Sequence, residues 1–300
     1  MMHNGMLLSI QQVPIPNTIL NMQKRTLSEQ EFKAFSAVQL FSITYHNQGL
    51  TIAGYLALPP ADLTVESYPA IIFNRGGTGP KGALTPESAA MYIALYASWG
   101  YVVAASQYRG NGGSEGIEEW GGNDIEDAKA LLQLLISLPY VDKERMGLIG
   151  GSRGGMMALM MLRSMHDFKA AVTIGAPTYF HDIPKDSYIY KTFLHYQDSP
   201  EKLQQEELKR SAVTFADELC KTTPLLVLHG TGDKRVDPMH CFSLGIALQK
   251  SNHPYKLIMY ENADHILAGR REESNQEIHK WMNRYVKEKK PLPKVGPHGA

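Results

Sequence analysis

Cysteine is scarce in this 300-residue chain: there are two, Cys220 and Cys241. They form no C-x-x-C and have no metal-ligand spacing, so neither a disulfide scaffold nor a cysteine-built metal centre is expected. Net charge is missing as well. Lys plus Arg and Asp plus Glu both number 30, for a formal net charge of zero. That removes the electrostatic footprint of a nucleic-acid or anionic-membrane binder. No apolar run approaches the ~20 residues of a membrane span. The N-terminus offers only the short patch Met6-Leu7-Leu8, without the basic region and apolar core of a secretory signal. These absences lead to the expectation of a cytoplasmic protein that binds neither nucleic acid nor membrane. No His/Cys/Asp/Glu cluster has metal spacing, and no metal or other cofactor is expected.

What the chain does have is 43% hydrophobic residues, enough to build a substantial core. Their pattern changes along the sequence. Residues 1–36 are polar with scattered apolar positions and read as an N-terminal extension, with a peripheral helix near Ser28–Phe35. From Val38 the residues alternate in strand fashion, Asn47-Gln48-Gly49 supplies a turn, and Leu50–Leu58 returns as a second strand. Pro69–Asn74 is a short continuous apolar run, as expected of a strand buried on both faces. From there helices and strands alternate. The helices are Glu87–Trp99, Asp124–Leu138, Gly154–Arg163, Pro238–Lys250 and Arg271–Lys287. The strands are Tyr101–Ser106, Met146–Gly150, Ala170–Ile174, Leu225–His229 and Tyr255–Tyr260. An opening hairpin followed by repeated βα units implies an α/β fold: a mostly parallel central sheet, an antiparallel N-terminal hairpin, and helices on both faces. Residues 177–223 interrupt the alternation. They read as a small helical cap insertion over the carboxyl ends of the strands, where such folds bind ligands. The expected organisation is an extension over 1–36, one α/β domain over 37–288 and a disordered tail over 289–300.

Gly150-Gly151-Ser152-Arg153-Gly154 matches G-x-S-x-G. Five residues with three fixed recur by chance, and a glycine-rich turn with a capping serine would look the same. The context decides. A strand runs into the motif and a helix leaves it, which is the setting of a nucleophile elbow. A serine hydroxyl needs a base to take its proton. Among eleven histidines, His265 follows a strand and so falls on the same sheet edge as Ser152. His229 lies within a strand end and reads as structural, His240 and His279 fall inside helices, and His253 lies at the wrong end of a strand. The acid should follow the preceding strand. His229-Gly230-Thr231-Gly232-Asp233 offers Asp233, whereas Asp237, just before Pro238, reads as a helix cap. Asp264 adjoins His265 in the chain and would point away from it. The order Ser152, Asp233, His265 is that of α/β-hydrolases.

An acyl-transfer intermediate needs donors for its oxyanion. One is expected from the backbone N–H of Arg153. The other is expected from Gly77, in the loop Arg75-Gly76-Gly77-Thr78-Gly79 that follows a strand. Gly77-Thr78-Gly79-Pro80-Lys81-Gly82 also satisfies G-x-G-x-x-G, but the acidic residue that a dinucleotide needs ~20 positions on is absent. Arg75 admits two readings. It either binds an acidic substrate group or supports the oxyanion, or else it makes a structural pair with a carboxylate such as one near Asp124.

Several segments together resemble the catalytic domain of the prolyl oligopeptidase family. They are the opening strands around Thr44-Tyr45 and Gly49–Leu56, Tyr108-Arg109-Gly110-Asn111-Gly112-Gly113, the serine motif followed by Gly155, and His229-Gly230-x-x-Asp233-x-x-Val236. The resemblance spans roughly residues 37–288. It implies the same triad and hydrolysis of peptide or ester bonds without a cofactor. The family's peptidases usually carry an N-terminal β-propeller, for which only the first 36 residues remain here. The leading expectation is therefore a serine hydrolase of small acyl esters or short peptides, working through an acyl-enzyme. A true serine peptidase of the prolyl oligopeptidase type is the alternative. A non-catalytic binding module on a hydrolase fold is a reading of another class, and homo-oligomers stay open.

Overall fold

The computed structural model describes residues 2–181, 183–197 and 199–296. The chain divides into two compact units, one of Met1–Glu118 with Asn123–Gly147, the other of Glu119–Gly122 with Leu148–Ala300.

The first unit is built on β1 (Leu7–Val13), β2 (Gln39–Asn47), β3 (Leu50–Leu58), β4 (Tyr68–Asn74) and β5 (Val102–Ser106). Their order is β1-β2-β3-β5-β4. The β1, β2, β3 and β5 neighbours are antiparallel, and β4 with β5 is parallel. Gln48 and Gly49, with φ of 50° and 82°, turn β2 into β3 as a two-residue hairpin, pairing Asn47 with Leu50. The apolar runs of β4 and β5 are buried on both faces. Helix Asp124–Ser137 contributes Ile125, Ala128, Leu131, Leu132, Leu134 and Leu135 to the core.

Two features of the first 36 residues have contrasting sequence signals. Helix Glu29–Ser36 is announced by a capping box: the Ser28 hydroxyl accepts from Glu31 N–H, and the Glu31 carboxylate accepts from Ser28 N–H. Strand β1 is not announced, because an edge strand exposed along most of its length has no apolar face to leave a period-two pattern.

Strand β6 (Val141–Gly151) starts in the first unit and ends in the second. The second unit continues with helix Arg153–Leu162, then β7 (Phe168–Ile174), β8 (Leu225–Gly230) and β9 (Tyr255–Tyr260). These last three strands are parallel neighbours in that order. Between β7 and β8 lies the interrupted segment, with helices Tyr188–His195 and Leu203–Arg210. Aromatic residues of this unit pack on one another: Trp120 meets Phe180 edge-on at 5.7 Å, and Phe180 lies 5.1 Å from Phe193. Arg210 donates to the Trp120 carbonyl at 2.9 Å, which ties residues 119–122 into this unit. Of the tail, residues 289–296 form no helix or strand, and 297–300 lie outside the described residues.

Candidate active site

Between the end of β6 and helix Arg153–Leu162 stands a single residue, Ser152, at φ 52° and ψ −124°. A non-glycine residue there is strained, so its surroundings must impose the conformation. Ser152 N–H donates to Ile174 O at 2.7 Å, and Ser152 O accepts from Gly155 N–H at 2.9 Å. The turn is so tight that a Cβ on Gly150 would lie 2.2 Å from Gly154 O, which is why a glycine is required there.

The loops after β8 and β9 are bound to each other. Thr231 N–H donates to Tyr260 O and Gly232 N–H to Ala263 O, each at 2.9 Å, while the Thr231 hydroxyl accepts from Asn262 N–H at 2.8 Å. This lacing brings Asp233 and His265 together. His265 Nδ1 lies 2.8 Å from Asp233 Oδ2, and its Nε2 lies 2.9 Å from Ser152 Oγ. The sequence expected these three side chains at three separate strand ends, and the second unit assembles them in one line.

The Asp233 side chain is fully buried. Its Oδ1 accepts from Arg235 N–H at 2.8 Å and from Val236 N–H at 3.0 Å. Oδ2 receives His265 Nδ1 and, at 3.1 Å, His229 Nε2. Burial pushes this carboxyl's pKa up, but the donors from His229, His265 and Val236 outweigh it and hold the group far below the usual carboxylate range. Asp233 is thus ionised wherever the protein is folded near neutral pH. The sequence marks His229 as a structural strand-end residue, and its contact with the acid appears only in the folded chain. The spacing His229-x-x-x-Asp233 was its only signal.

The other candidates have different partners. Asp237 accepts from Met239 N–H at 2.9 Å at the start of helix Met239–Lys250, as a cap does. Asp264 accepts from the N–H groups of Ile266 and Ala268 and so shapes its own turn. His240 Nδ1 accepts from the N–H groups of Thr178 and Tyr179 at 3.1 and 3.2 Å, pinning the start of the 177–223 segment. His253 is fully buried and bonded to Thr223 O at 3.0 Å. Burial pushes its pKa down to about 4, helped by the charge of Lys221 and opposed by that bond.

Arg75 and Gly77 belong to the first unit. The Arg75 guanidinium is buried and bonded to backbone carbonyls of its surroundings: Nε to Gln107 O at 3.2 Å, Nη1 to Gly82 O at 2.9 Å and to Gly76 O at 3.2 Å, with Nη2 also on Gln107 O. It lies over the Tyr108 ring at 4.6 Å. Gly77 sits at φ 72°, with Gly82 packed so close that a Cβ on Gly77 would meet Gly82 Cα at 2.7 Å. The G-x-G-x-x-G spacing therefore serves a loop that closes on itself. The Glu118 carboxylate fastens the same loop, accepting from Gly79 N–H at 2.9 Å. Arg153 is the first residue of its helix, and its side chain is buried. Among the described residues no group of His, Cys, Asp and Glu could hold a metal ion, and no helix is long and apolar enough to cross a membrane.

The fold has counterparts among solved structures, and they define its class: the α/β-hydrolase fold. A puromycin-hydrolyzing peptidase of Mycobacterium tuberculosis superposes with a TM-score of 0.73 at 21% identity, covering 84% of this chain and 40% of that one. An acylaminoacyl peptidase in complex with Z-Gly-Gly-Phe-chloromethyl ketone gives 0.72 at 22%, covering 88% and 43%. Residues 88–289 match the prolyl oligopeptidase family, and the chain belongs to it. The "uncharacterized peptidase YtmA" of Bacillus subtilis (strain 168) is 28% identical over 83% of this chain and 94% of its own length. The "uncharacterized peptidase YuxL" of the same organism is 30% identical over 73% of this chain but 34% of its own length. The chain thus spans nearly all of one relative and about a third of the other, and less than half of those two solved chains. The family membership makes the protein a serine hydrolase.

Proposed function

We propose that the protein cleaves short peptides and small acyl esters through an acyl-enzyme on Ser152. The observation that carries this reading is the line Ser152 Oγ, His265 Nε2, His265 Nδ1, Asp233 Oδ2, with links of 2.9 and 2.8 Å. His265 takes the proton from Ser152 Oγ as the oxygen attacks the carbonyl carbon. It then returns that proton to the leaving amine or alcohol. Asp233 fixes the tautomer with Nδ1 protonated, leaving Nε2 free to act as the base. The imidazolium formed in the process faces a carboxylate that stays ionised. Water repeats the sequence to release the acid.

The oxyanion is assigned to the N–H of Arg153 and the N–H of Gly77. The first is supported by its place at a helix N-terminus, where backbone N–H groups and the helix dipole favour negative charge. The second is supported by its loop, which Arg75 and Glu118 brace through backbone groups. Arg75 is assigned to this bracing, since its donors are engaged by carbonyls. Residues 37–288 act as one hydrolase domain with 177–223 as its cap. Peptides rank ahead of esters because the relatives in this family carry peptidase names.

A fluorophosphonate probe tests the nucleophile. The wild type should be labelled, and Ser152→Ala should not. Folded wild type that resists labelling would reject the reading. A panel of p-nitrophenyl esters set against aminoacyl and N-acyl amides then ranks the substrates.

A further inference from the structure

The triad uses one imidazole, yet two converge on its acid. We propose that His229 is a positioning residue whose Nε2–H clamps Asp233 Oδ2 in line with His265; this role rests on reading Ser152, His265 and Asp233 as the catalytic triad.

The contacts fix the chemistry of the ring. His229 Nε2 lies 3.1 Å from Asp233 Oδ2 and 3.0 Å from Val236 O. An ionised carboxylate and a carbonyl can only accept, so Nε2 must carry a hydrogen; Val236 O accepts it, and Asp233 Oδ2 lies beside it at 3.1 Å. Val236 is used twice, since its N–H donates to Asp233 Oδ1 at 3.0 Å while its carbonyl receives His229. His229, Asp233 and Val236 therefore form a closed ring, two sides of which are hydrogen bonds and the third the 3.1 Å contact of imidazole and carboxylate.

That ring joins a rigid element to a loop. His229 is the penultimate residue of β8, in register with Met259 of β9, and is 1% exposed. Asp233 stands in the loop beyond. Without His229 its Oδ1 would still be held by the turn of Arg235 and Val236. Oδ2, the oxygen that meets His265, would have lost its anchor to the strand. The clamp also divides the charge on that oxygen. Two imidazole N–H groups share Oδ2, so each takes part of the negative charge that the other could use. The remaining nearby charges, Lys234, Arg235, Asp237 and Asp264, are exposed to water and are screened.

Removal of the donor therefore has two effects of different kind. Orientation is lost, which lowers kcat. More of the carboxylate charge falls on His265, which favours its protonated form and moves the acid limb of kcat/KM to higher pH. A role in packing alone would change thermal stability without moving that limb.

The experiment compares wild type, His229→Met and His229→Gln on a p-nitrophenyl ester across pH, alongside fluorophosphonate labelling and melting curves. Met fills similar space without a donor, and Gln returns an N–H near the Nε2 position. The expected result is a fall in kcat of about 10- to 100-fold in His229→Met, the scale of a hydrogen bond to a charged group, with the acid limb displaced upward. His229→Gln should recover most of the kcat and return the limb toward its wild-type position. Nitrogen-15 NMR of the histidine rings in the wild type gives a test that needs no variant: His229 should carry its hydrogen on Nε2. A His229 found with its only hydrogen on Nδ1 would overturn the proposal, as would a His229→Met enzyme with wild-type kcat and limb. Wild type that resists the fluorophosphonate would instead remove the triad reading on which the role depends.

Discussion

Asp127 and Asp233 are two buried carboxylates with nearly the same number of bonds and opposite uses. Asp127, in the first unit, receives the Arg109 backbone N–H at 2.8 Å, Arg109 Nε at 3.0 Å, Arg109 Nη2 at 2.9 Å and Asn47 Nδ2 at 2.7 Å. Asp233, in the second unit, receives two backbone N–H groups and two imidazoles. Arginine keeps its charge at any pH in a folded protein, so Asp127 is matched once and for all by a forked cation. Nothing there can respond to a passing charge. The imidazoles on Asp233 carry no obligatory charge, so the carboxylate keeps an unmatched negative charge beside a group that turns positive during turnover. Burial and bond count do not separate a structural acid from a catalytic one; the chemistry of the donors does.

That contrast can be broken by substitution. The largest effect is expected at the base and nucleophile. Ser152→Ala and His265→Ala should each lower kcat by about 10⁶, with the double variant hardly worse, since the members of a triad act as a unit. Multiplying losses in the double variant would mean that the two side chains do not act together. The two acids come next and should diverge. Asp233→Asn should leave melting close to wild type and lower kcat by about 10⁴, because the amide favours the wrong imidazole tautomer. Asp127→Asn takes a buried carboxylate away from the Arg109 guanidinium, and should lower stability by about 3–5 kcal/mol with kcat per folded molecule little changed. If stability fell at Asp233 and kcat fell at Asp127, the distinction drawn from their donors would fail.

The smallest effect concerns stability against pH. Asp233 has a folded pKa below its unfolded value. Its contribution is present above the ordinary carboxylate range and is lost as pH falls through that range toward the folded value. His253 is a buried imidazole bonded to a carbonyl, with a folded pKa of about 4 against an ordinary value of about 6.5. The unfolded chain binds this proton first. Stability is therefore complete above about pH 6.5 and declines as pH falls toward about 4, by about 3 kcal/mol in all. Urea unfolding of His253→Gln between pH 7 and pH 4 should show a flatter decline than wild type. An equal decline in both would place the lost stability elsewhere.

The sequence by itself determined the elements and the catalytic candidates, because both depend on local order. Continuous apolar runs mark β4, β5 and β8, and apolar residues at helical spacing mark helix Asp124–Ser137. Strand, tight glycine turn and helix mark Ser152, and position after a strand marks Asp233 and His265. Tertiary structure alone decided the rest. Strand β1 left no pattern because almost nothing covers it. The bonds of Arg75 to Gln107, Gly76 and Gly82 could not be read because they go to carbonyls, which every residue carries and no side-chain pattern reveals. His229 looked like any strand-end histidine until the loop after β8 folded back and set Asp233 Oδ2 3.1 Å from its ring. A donor's role is fixed by what lies within about 3 Å of it, and along this chain that neighbour is settled by how the loops close.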